Sequence, residues 1–213
     1  MRLAFAAALA PAVLAAAAGA LFAQSPTAPP GSRSTAAITG GTYQADPNHT
    51  LVTWTVDHMG FSPYTGIFGS ITGTLTLDPR KPGAAKVDVT IPASKVVTAS
   101  AGLTAHLTRA GKDGGKPDFF GPSADAHFVS TAVRASGQSA RITGNLTLNG
   151  VTRPVTLDAD FYGAGKAPQM MGGKEEVGFH ATGTIRRSEF GLGFGVPVVG
   201  DAIRLDIAAA FEK

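Results

Sequence analysis

The 213-residue chain contains no cysteine. This absence excludes a disulfide framework, cysteine-ligated metal sites and lipid attachment to a cysteine. Charged residues make up only 15% of the chain. Beyond the first 23 residues, no segment approaches the roughly 20 consecutive apolar residues that a membrane-spanning helix needs. The stability of the protein must therefore come from the apolar core of one sizeable domain.

The few charges also argue against one class of partner. The formal net charge is only +3, and lysines and arginines are scattered, with Arg186 and Arg187 the only adjacent arginines. A nucleic-acid surface typically combines clustered cations with aromatic side chains. We therefore expect no nucleic-acid partner.

Catalytic and metal-binding motifs are missing as well. No serine lies between two glycines as in G-x-S-x-G, and no motif pairs two carboxylates. The glycines of Gly191–Gly195 superficially resemble a phosphate loop, but Val196-Pro197 extends the chain where a helix should follow. The five histidines lie at no close metal-ligand spacing: His49, His58, His106, His127 and His180. We expect no enzymatic activity, no metal and no catalytic residue.

The N-terminus resembles a secretory signal peptide over residues 1–23. A positive n-region precedes the apolar residues 3–14, and small residues permit cleavage after Ala20 or Ala23. The alternative is an uncleaved membrane anchor, disfavoured because the segment is short, alanine-rich and interrupted by proline. Residues 24–41 are rich in Ser, Thr, Ala, Pro and Gly, which predicts a disordered linker. The folded domain is expected over residues 42–213.

The most informative segment is the stretch from Arg141 to Phe161. Asn149-Gly150 favours a two-residue type I′ turn, because both positions need a positive φ. The turn predicts an antiparallel hairpin with one apolar and one polar face, in the register Leu148–Val151, Leu146–Arg153, Gly144–Val155, Ile142–Leu157 and Thr147–Thr152, Asn145–Pro154, Thr143–Thr156, Arg141–Asp158.

Period-2 alternation of apolar and polar residues continues outside this hairpin. Together with the two hairpin strands it predicts about eight strands, the others being 52–57, 67–77, 87–91, 128–133, 177–185 and 203–211. Strands with a single apolar face favour an all-β antiparallel barrel or sandwich. An eight-stranded barrel can just enclose one small ligand.

One long connection, between Ile91 and His127, contains the predicted helix. Ser100 can cap it, Leu103 and Leu107 lie on one face, and it should end near Ala110-Gly111. The connection is either a functional flap or a plug over one end of the barrel.

The interior is the candidate site, because its predicted positions mix large aromatic residues with glycines. Either the glycines leave a cavity, or they relieve bending in a filled barrel. A cavity would leave free space beside Gly144. The candidate apolar wall is Val52, Trp54, Val56, Ile71, Leu75, Phe128, Ile142, Gly144, Leu146, Leu157, Phe161, Phe179 and Phe190.

Several ordered motifs make residues 42–213 similar to the YceI-like lipid/polyisoprenoid-binding family. The most specific is the G-x-L-T-x-x-G-V-T motif at 144–152. The others are Tyr43-x-x-Asp46-x-x-His49-Thr50, Val52-x-Trp54-x-Val56-x-His58-Met59-Gly60, Gly66-x-Phe68, residues 93–98, His106-Leu107, Asp118-Phe119-Phe120, residues 128–131 and Arg187-Ser188-Glu189-Phe190-Gly191. The chain departs from the family pattern at Thr108–Pro117, which is inserted, and at Ala124–Ala126.

The resemblance implies an extended, lipocalin-like, eight-stranded antiparallel barrel with one short helix in the long connection. It implies a periplasmic carrier for an isoprenoid or fatty-acyl amphiphile, without cofactor or catalytic residues, that could contact a membrane transiently. His58, Arg187 and Ser188 are candidates for holding a head group at the mouth. The alternative is a filled barrel acting as a stress-related or protein-interaction module. Hydrolase or isomerase activity is a third, weaker hypothesis.

Overall fold

The computed structural model describes residues 28–213, so the predicted signal peptide and the first part of the predicted linker lie outside the described residues. The described chain is almost entirely β-structure. Its strands and single α-helix are β1 (Gly31–Ser32), β2 (Gly41–Ala45), β3 (Leu51–His58), β4 (Ser62–Phe68), β5 (Thr72–Leu77), β6 (Lys86–Ile91), β7 (Val97–Thr98), α1 (Ala101–Thr108), β8 (Ala126–Ser136), β9 (Ser139–Leu148), β10 (Val151–Lys166), β11 (Glu175–Arg186) and β12 (Val199–Glu212). Short 3-10 turns cover Thr35–Ala37, Pro82–Ala84, Ala93–Lys95, Lys112–Gly114, Gln169–Met171 and Arg187–Phe190.

The strands close into an antiparallel barrel. The ring runs β2-β5-β6-β8-β9-β10-β11-β12 and returns to β2. After breaks at 46–50 and 69–71, β3 continues the position of β2 and β4 continues that of β5, and β3 pairs with both β12 and β4. Eight strand positions therefore enclose the interior, which confirms the predicted fold class.

The predicted hairpin is present in the predicted register. β9 and β10 pair Leu148 with Val151 and continue without a shift to Asp158 and Arg141. Asn149 and Gly150 have φ values of 51° and 74°, as a type I′ turn requires. The turn residues and the alternation of apolar and polar faces together determine the register of this hairpin.

The space expected beside Gly144 does not exist, and that prediction is wrong. The ring of Phe128 covers the glycine, and a Cβ at position 144 would lie 2.5 Å from Cε2 of Phe128 and 2.7 Å from the Val129 carbonyl oxygen. The glycine allows an aromatic side chain of the neighbouring strand to lie against the sheet.

Helix α1 covers one end of the barrel, which is called the closed end below. Ser100 caps the helix as predicted, its Oγ accepting from the Leu103 amide at 3.2 Å, and the helix ends at Thr108. Leu107 is buried against Trp54, Val56 and Val96. Within residues 28–213, no helix combines the length and hydropathy of a membrane span.

Residues 31–38 cross the opposite end of the barrel and are called the strap. The structure differs here from the predicted disordered linker over residues 24–41. β1 pairs with the free edge of β10, opposite Ala164 and Gly165, and Ile38 is buried among core side chains that include Leu77 and Phe161. The composition of this segment alone predicts disorder. The burial of Ile38 and the pairing of two residues with β10 hold the segment in place instead.

Candidate ligand-binding site

A cavity of about 380 Å³ occupies the barrel interior. Its volume lies within the range of roughly 300–1,000 Å³ that is typical of small-molecule sites. All eight strand positions contribute inward-facing apolar side chains. Among residues 28–213, no charged side chain lines the cavity, and the polar lining consists of Thr35, Thr50, Gln138 and Ser139. Thr50 is satisfied internally, because its hydroxyl exchanges hydrogen bonds with the amide and carbonyl groups of Ala210. The interior therefore suits hydrocarbon.

The partial accessibility of several inward-facing side chains shows that the barrel is hollow. Ile142, Leu146, Leu157 and Phe179 all point into the cavity, yet none of them is fully buried. In a filled barrel of this size, such apolar residues would be close-packed. The accessible inner face contradicts the filled-barrel alternative.

The floor of the cavity lies at the closed end. Ala93, Phe120, Ala126 and Leu148 line it there. Phe190 is buried in the same apolar cluster and packs under this floor. The helix and the long connection thus form a plug over this end of the barrel.

The mouth lies at the opposite end of the barrel. Three elements border it: the β5–β6 connection with Pro79 and Pro82, the β8–β9 hairpin over residues 137–140, and the strap with Thr35. Along β9, the lining runs from Ser139 to Leu148, a rise of about 30 Å at ~3.3 Å per residue. Three of the four polar lining residues, Thr35, Gln138 and Ser139, lie at this mouth.

The structure brings nine of the thirteen predicted wall residues to the cavity. These are Val52, Ile71, Leu75, Phe128, Ile142, Leu146, Leu157, Phe161 and Phe179. The other four do not line it. Trp54 and Val56 pack under α1, Phe190 lies under the floor, and Gly144 is covered by Phe128.

The three head-group candidates lie at the closed end, so their predicted place at the mouth is wrong. His58 ends β3 opposite Ser62 and Val199. Ser188 donates to the Asp201 carboxylate at 2.9 Å. Both residues are separated from the mouth by the length of the barrel.

Arg187 has a structural environment that its sequence context does not reveal. The side chain is buried, and its guanidinium donates to four backbone carbonyl oxygens of the loop before β12 and of the start of β12 at 2.6–2.8 Å: those of Leu192, Phe194, Val199 and Gly200. Burial lowers the pKa of Arg187, and the charge of Asp201 opposes this effect. Arg187 therefore fixes the loop beneath the floor and presents no free charge to a ligand.

The sequence does not predict the residues at the mouth, because the patterns around them are weak. Gly137 has a φ of 60° in the two-residue turn between β8 and β9, but the alternation of β8 was too poor to predict a hairpin there. Thr35 lies in the strap, whose composition suggests disorder. The location of the mouth depends on how these two segments meet.

A polar cluster anchors the strap beside the mouth. The Glu175 carboxylate accepts from the Thr39 amide at 2.9 Å, from the Thr39 hydroxyl at 2.7 Å and from the Tyr43 hydroxyl. Burial opposes ionisation of Glu175, but these donors and the charge of Lys213 hold its pKa below the ordinary value. Burial, with the hydrogen bond to Glu175 and its charge, raises the pKa of Tyr43 to about 12. The anchor is therefore an ionised carboxylate held by three neutral donors and by the ammonium group of Lys213 at 3.7 Å.

No group of His, Asp or Glu side chains in the described part of the chain is arranged to hold a metal ion. The histidines at positions 49, 106, 127 and 180 instead pair with single carboxylates: Asp46, Asp118, Asp88 and Asp206.

Comparison with known sequences gives a family match over most of the chain. The model of the YceI-like domain matches residues 43–211. A UPF0312 protein of Pseudomonas putida is 37% identical over 168 residues, which cover 78% of this chain and 82% of that protein.

Solved structures have the same fold. BcnA of Burkholderia cenocepacia superposes with a TM-score of 0.63 at 23% identity, covering 78% of this chain and 98% of BcnA. A polyisoprenoid-binding domain from Saccharophagus degradans gives a TM-score of 0.55 at 12% identity, covering 80% of this chain and 97% of that domain.

Proposed function

The chain belongs to the YceI-like domain family, and on that premise we propose that it is a carrier for an amphiphilic lipid. The cargo is an isoprenoid or fatty-acyl amphiphile, and its hydrocarbon chain lies in the barrel. One observation carries the proposal: the interior is hollow, lined without charge, closed at one end and bordered by polar groups at the other. The solved polyisoprenoid-binding domain of the same fold supports this class of ligand.

The hydrophobic effect supplies the affinity. Each CH₂ group removed from water contributes roughly 0.8 kcal/mol, so ten carbons contribute about 8 kcal/mol before the costs of association and ordering. A cavity without charged groups does not discriminate between one kind of hydrocarbon chain and another. The wall therefore selects for an apolar chain, and the mouth must select the rest of the ligand.

The position of the polar groups orients the cargo. Thr35, Gln138 and Ser139 border the mouth, whereas Phe120 and Leu148 line the floor. A polar head group placed at the floor would lose its hydrogen bonds to water without gaining a partner. This desolvation costs roughly 2–7 kcal/mol. The head group therefore stays at the mouth, and the chain end points toward α1.

We also propose that the protein acts in the periplasm. The support is the signal-peptide pattern of residues 1–23, with cleavage after Ala20 or Ala23. The absence of cysteine agrees with a protein that relies on its core and not on disulfides.

A filling substitution with a matched control tests the carrier function. Ala209 lines the cavity on β12, and its neighbour Ala208 is exposed on the outer face. Ala209→Phe should abolish or strongly weaken displacement of an apolar fluorescent probe by palmitate. Ala208→Phe should leave that binding unchanged. Equal binding by both variants would overturn the proposal, because the chain would then bind outside the barrel.

A further inference from the structure

The mouth includes residues that lie outside the YceI-like domain. The domain match begins at residue 43, whereas the strap covers residues 31–38 and contributes Thr35 and Ile38 to the cavity lining. One border of the entrance therefore lies outside the part of the chain that matches the family model. The strap carries one charged residue, Arg33.

The strap is fixed at both ends and exposed between them. Gly31 and Ser32 pair with β10, while Ile38 is buried and the Thr39 amide donates to Glu175. Residues 33–36 remain exposed between these two anchors. This arrangement holds Arg33 at the entrance while leaving its side chain in contact with solvent.

Reciprocal hydrogen bonds place Arg33 against the β8–β9 hairpin, the neighbouring border of the mouth. Its Nε donates to Oε1 of Gln138 at 3.4 Å, and the Gln138 amide donates to the Arg33 carbonyl oxygen at 2.9 Å. An Arg33 Nη donates to the Phe161 carbonyl oxygen at 3.3 Å. Gln138 and Phe161 both line the cavity, so the guanidinium lies next to the entrance, although Arg33 itself is not one of the lining residues.

None of the ion pairs within residues 28–213 includes Arg33. The nearby Ser139 hydroxyl donates to Asp160, at 2.5 Å. Across the mouth, the β5–β6 connection carries Arg80 and Lys81, of which Arg80 pairs with Asp78. The entrance therefore carries the cations Arg33, Arg80 and Lys81 together with the carboxylates Asp78 and Asp160.

We propose that Arg33 is a head-group residue that makes this site selective for amphiphiles with an acidic head group, either a carboxylate or a phosphate. The inference rests on the proposed carrier function. A guanidinium presents a planar fork of donors that fits either anion, and charge-assisted hydrogen bonds are the stronger kind. The two hydrogen bonds to neutral acceptors, at 3.3 and 3.4 Å, leave the fork able to turn toward a ligand.

Paired probes of one chain length test the assignment. Delipidated mature protein is titrated with palmitate and with hexadecanol at neutral pH and low salt. The wild type should bind palmitate more tightly. Arg33→Gln should weaken palmitate binding about tenfold and leave hexadecanol binding unchanged. Arg33→Lys should retain most of the preference, because it keeps the charge.

Farnesyl phosphate and farnesol form a second pair that separates the two acidic groups. A loss confined to palmitate or to farnesyl phosphate assigns Arg33 to that anion. Arg80→Gln is the control for general charge at the rim and should weaken both anions much less than Arg33→Gln.

Three outcomes would overturn the inference. Equal losses for palmitate and hexadecanol in Arg33→Gln would show that Arg33 only positions the strap. No loss for either anion would show that Arg33 does not contact the head group, while the carrier function would stand. Failure of all four probes to bind the wild type would reject the carrier function as well.

Discussion

The ring of Phe128 lies over Gly144 on the adjacent strand, so closely that no side chain fits at position 144. A Cβ there would also lie 2.7 Å from the Val129 carbonyl oxygen. The backbone carbonyl cannot move without disturbing the pairing of β8 with β9. The glycine thus permits the aromatic ring to form part of the cavity wall.

Gly144→Ala should therefore destabilise the protein by about 1–3 kcal/mol, the usual cost of overpacking. Urea unfolding of the purified variant measures this change. Gly193→Ala is the matched control, since a Cβ at Gly193 meets no atom within 4 Å. Equal stability of the two variants would show that the ring can move aside.

Gly150→Val should lower the free energy of unfolding by about 1–2 kcal/mol, because a β-branched side chain resists the positive φ of 74°. Gly150→Asn should cost less, since asparagine tolerates this conformation. Thermal melting of both variants checks the turn. A valine variant as stable as the asparagine variant would contradict the type I′ geometry.

Arg187→Met should cost on the order of 3 kcal/mol or more, because four carbonyl oxygens lose the donors of a buried guanidinium. The neighbouring Arg186 has a largely exposed side chain at 67% and pairs with Asp201 at 3.6 Å. Arg186→Met should cost less than about 1 kcal/mol. Similar losses for the two substitutions, measured by urea unfolding, would contradict a role for Arg187 in fixing the loop.

The strap anchor predicts acid sensitivity. The pKa of Glu175 is held below its ordinary value of 4.5, so the ionised carboxylate contributes stability above that pH. This contribution should begin to fall near the ordinary value and be lost as the pH drops through the lower folded-state pKa. Glu175→Gln should be less stable at neutral pH and should lose less stability on acidification. Parallel pH profiles of Tm for both proteins would contradict the anchor.

Short-range chemistry explains which parts of the fold can be predicted from the sequence. Asn149-Gly150 determines a turn type, and alternation over ten residues on each side determines which face is buried. Ser100 predicts the helix start because its hydroxyl caps the Leu103 amide. Each of these features depends on neighbours in the chain.

The mouth could not be predicted, because it depends on segments far apart in sequence. Arg33 and Gln138 meet only after the barrel has closed. The burial of Arg187 depends in the same way on a loop that wraps around the side chain. His58 and Arg187 lie at the ends of strands, and which end of the barrel they occupy depends on how the whole ring of strands closes.

The carrier function is tested most directly by organic extraction and mass spectrometry of protein purified under native conditions from the periplasmic fraction. We expect about one long-chain amphiphile per barrel in the wild type and in Ala208→Phe, and little or none in Ala209→Phe. An empty wild-type barrel that also fails to take up palmitate or farnesyl phosphate would contradict the carrier function.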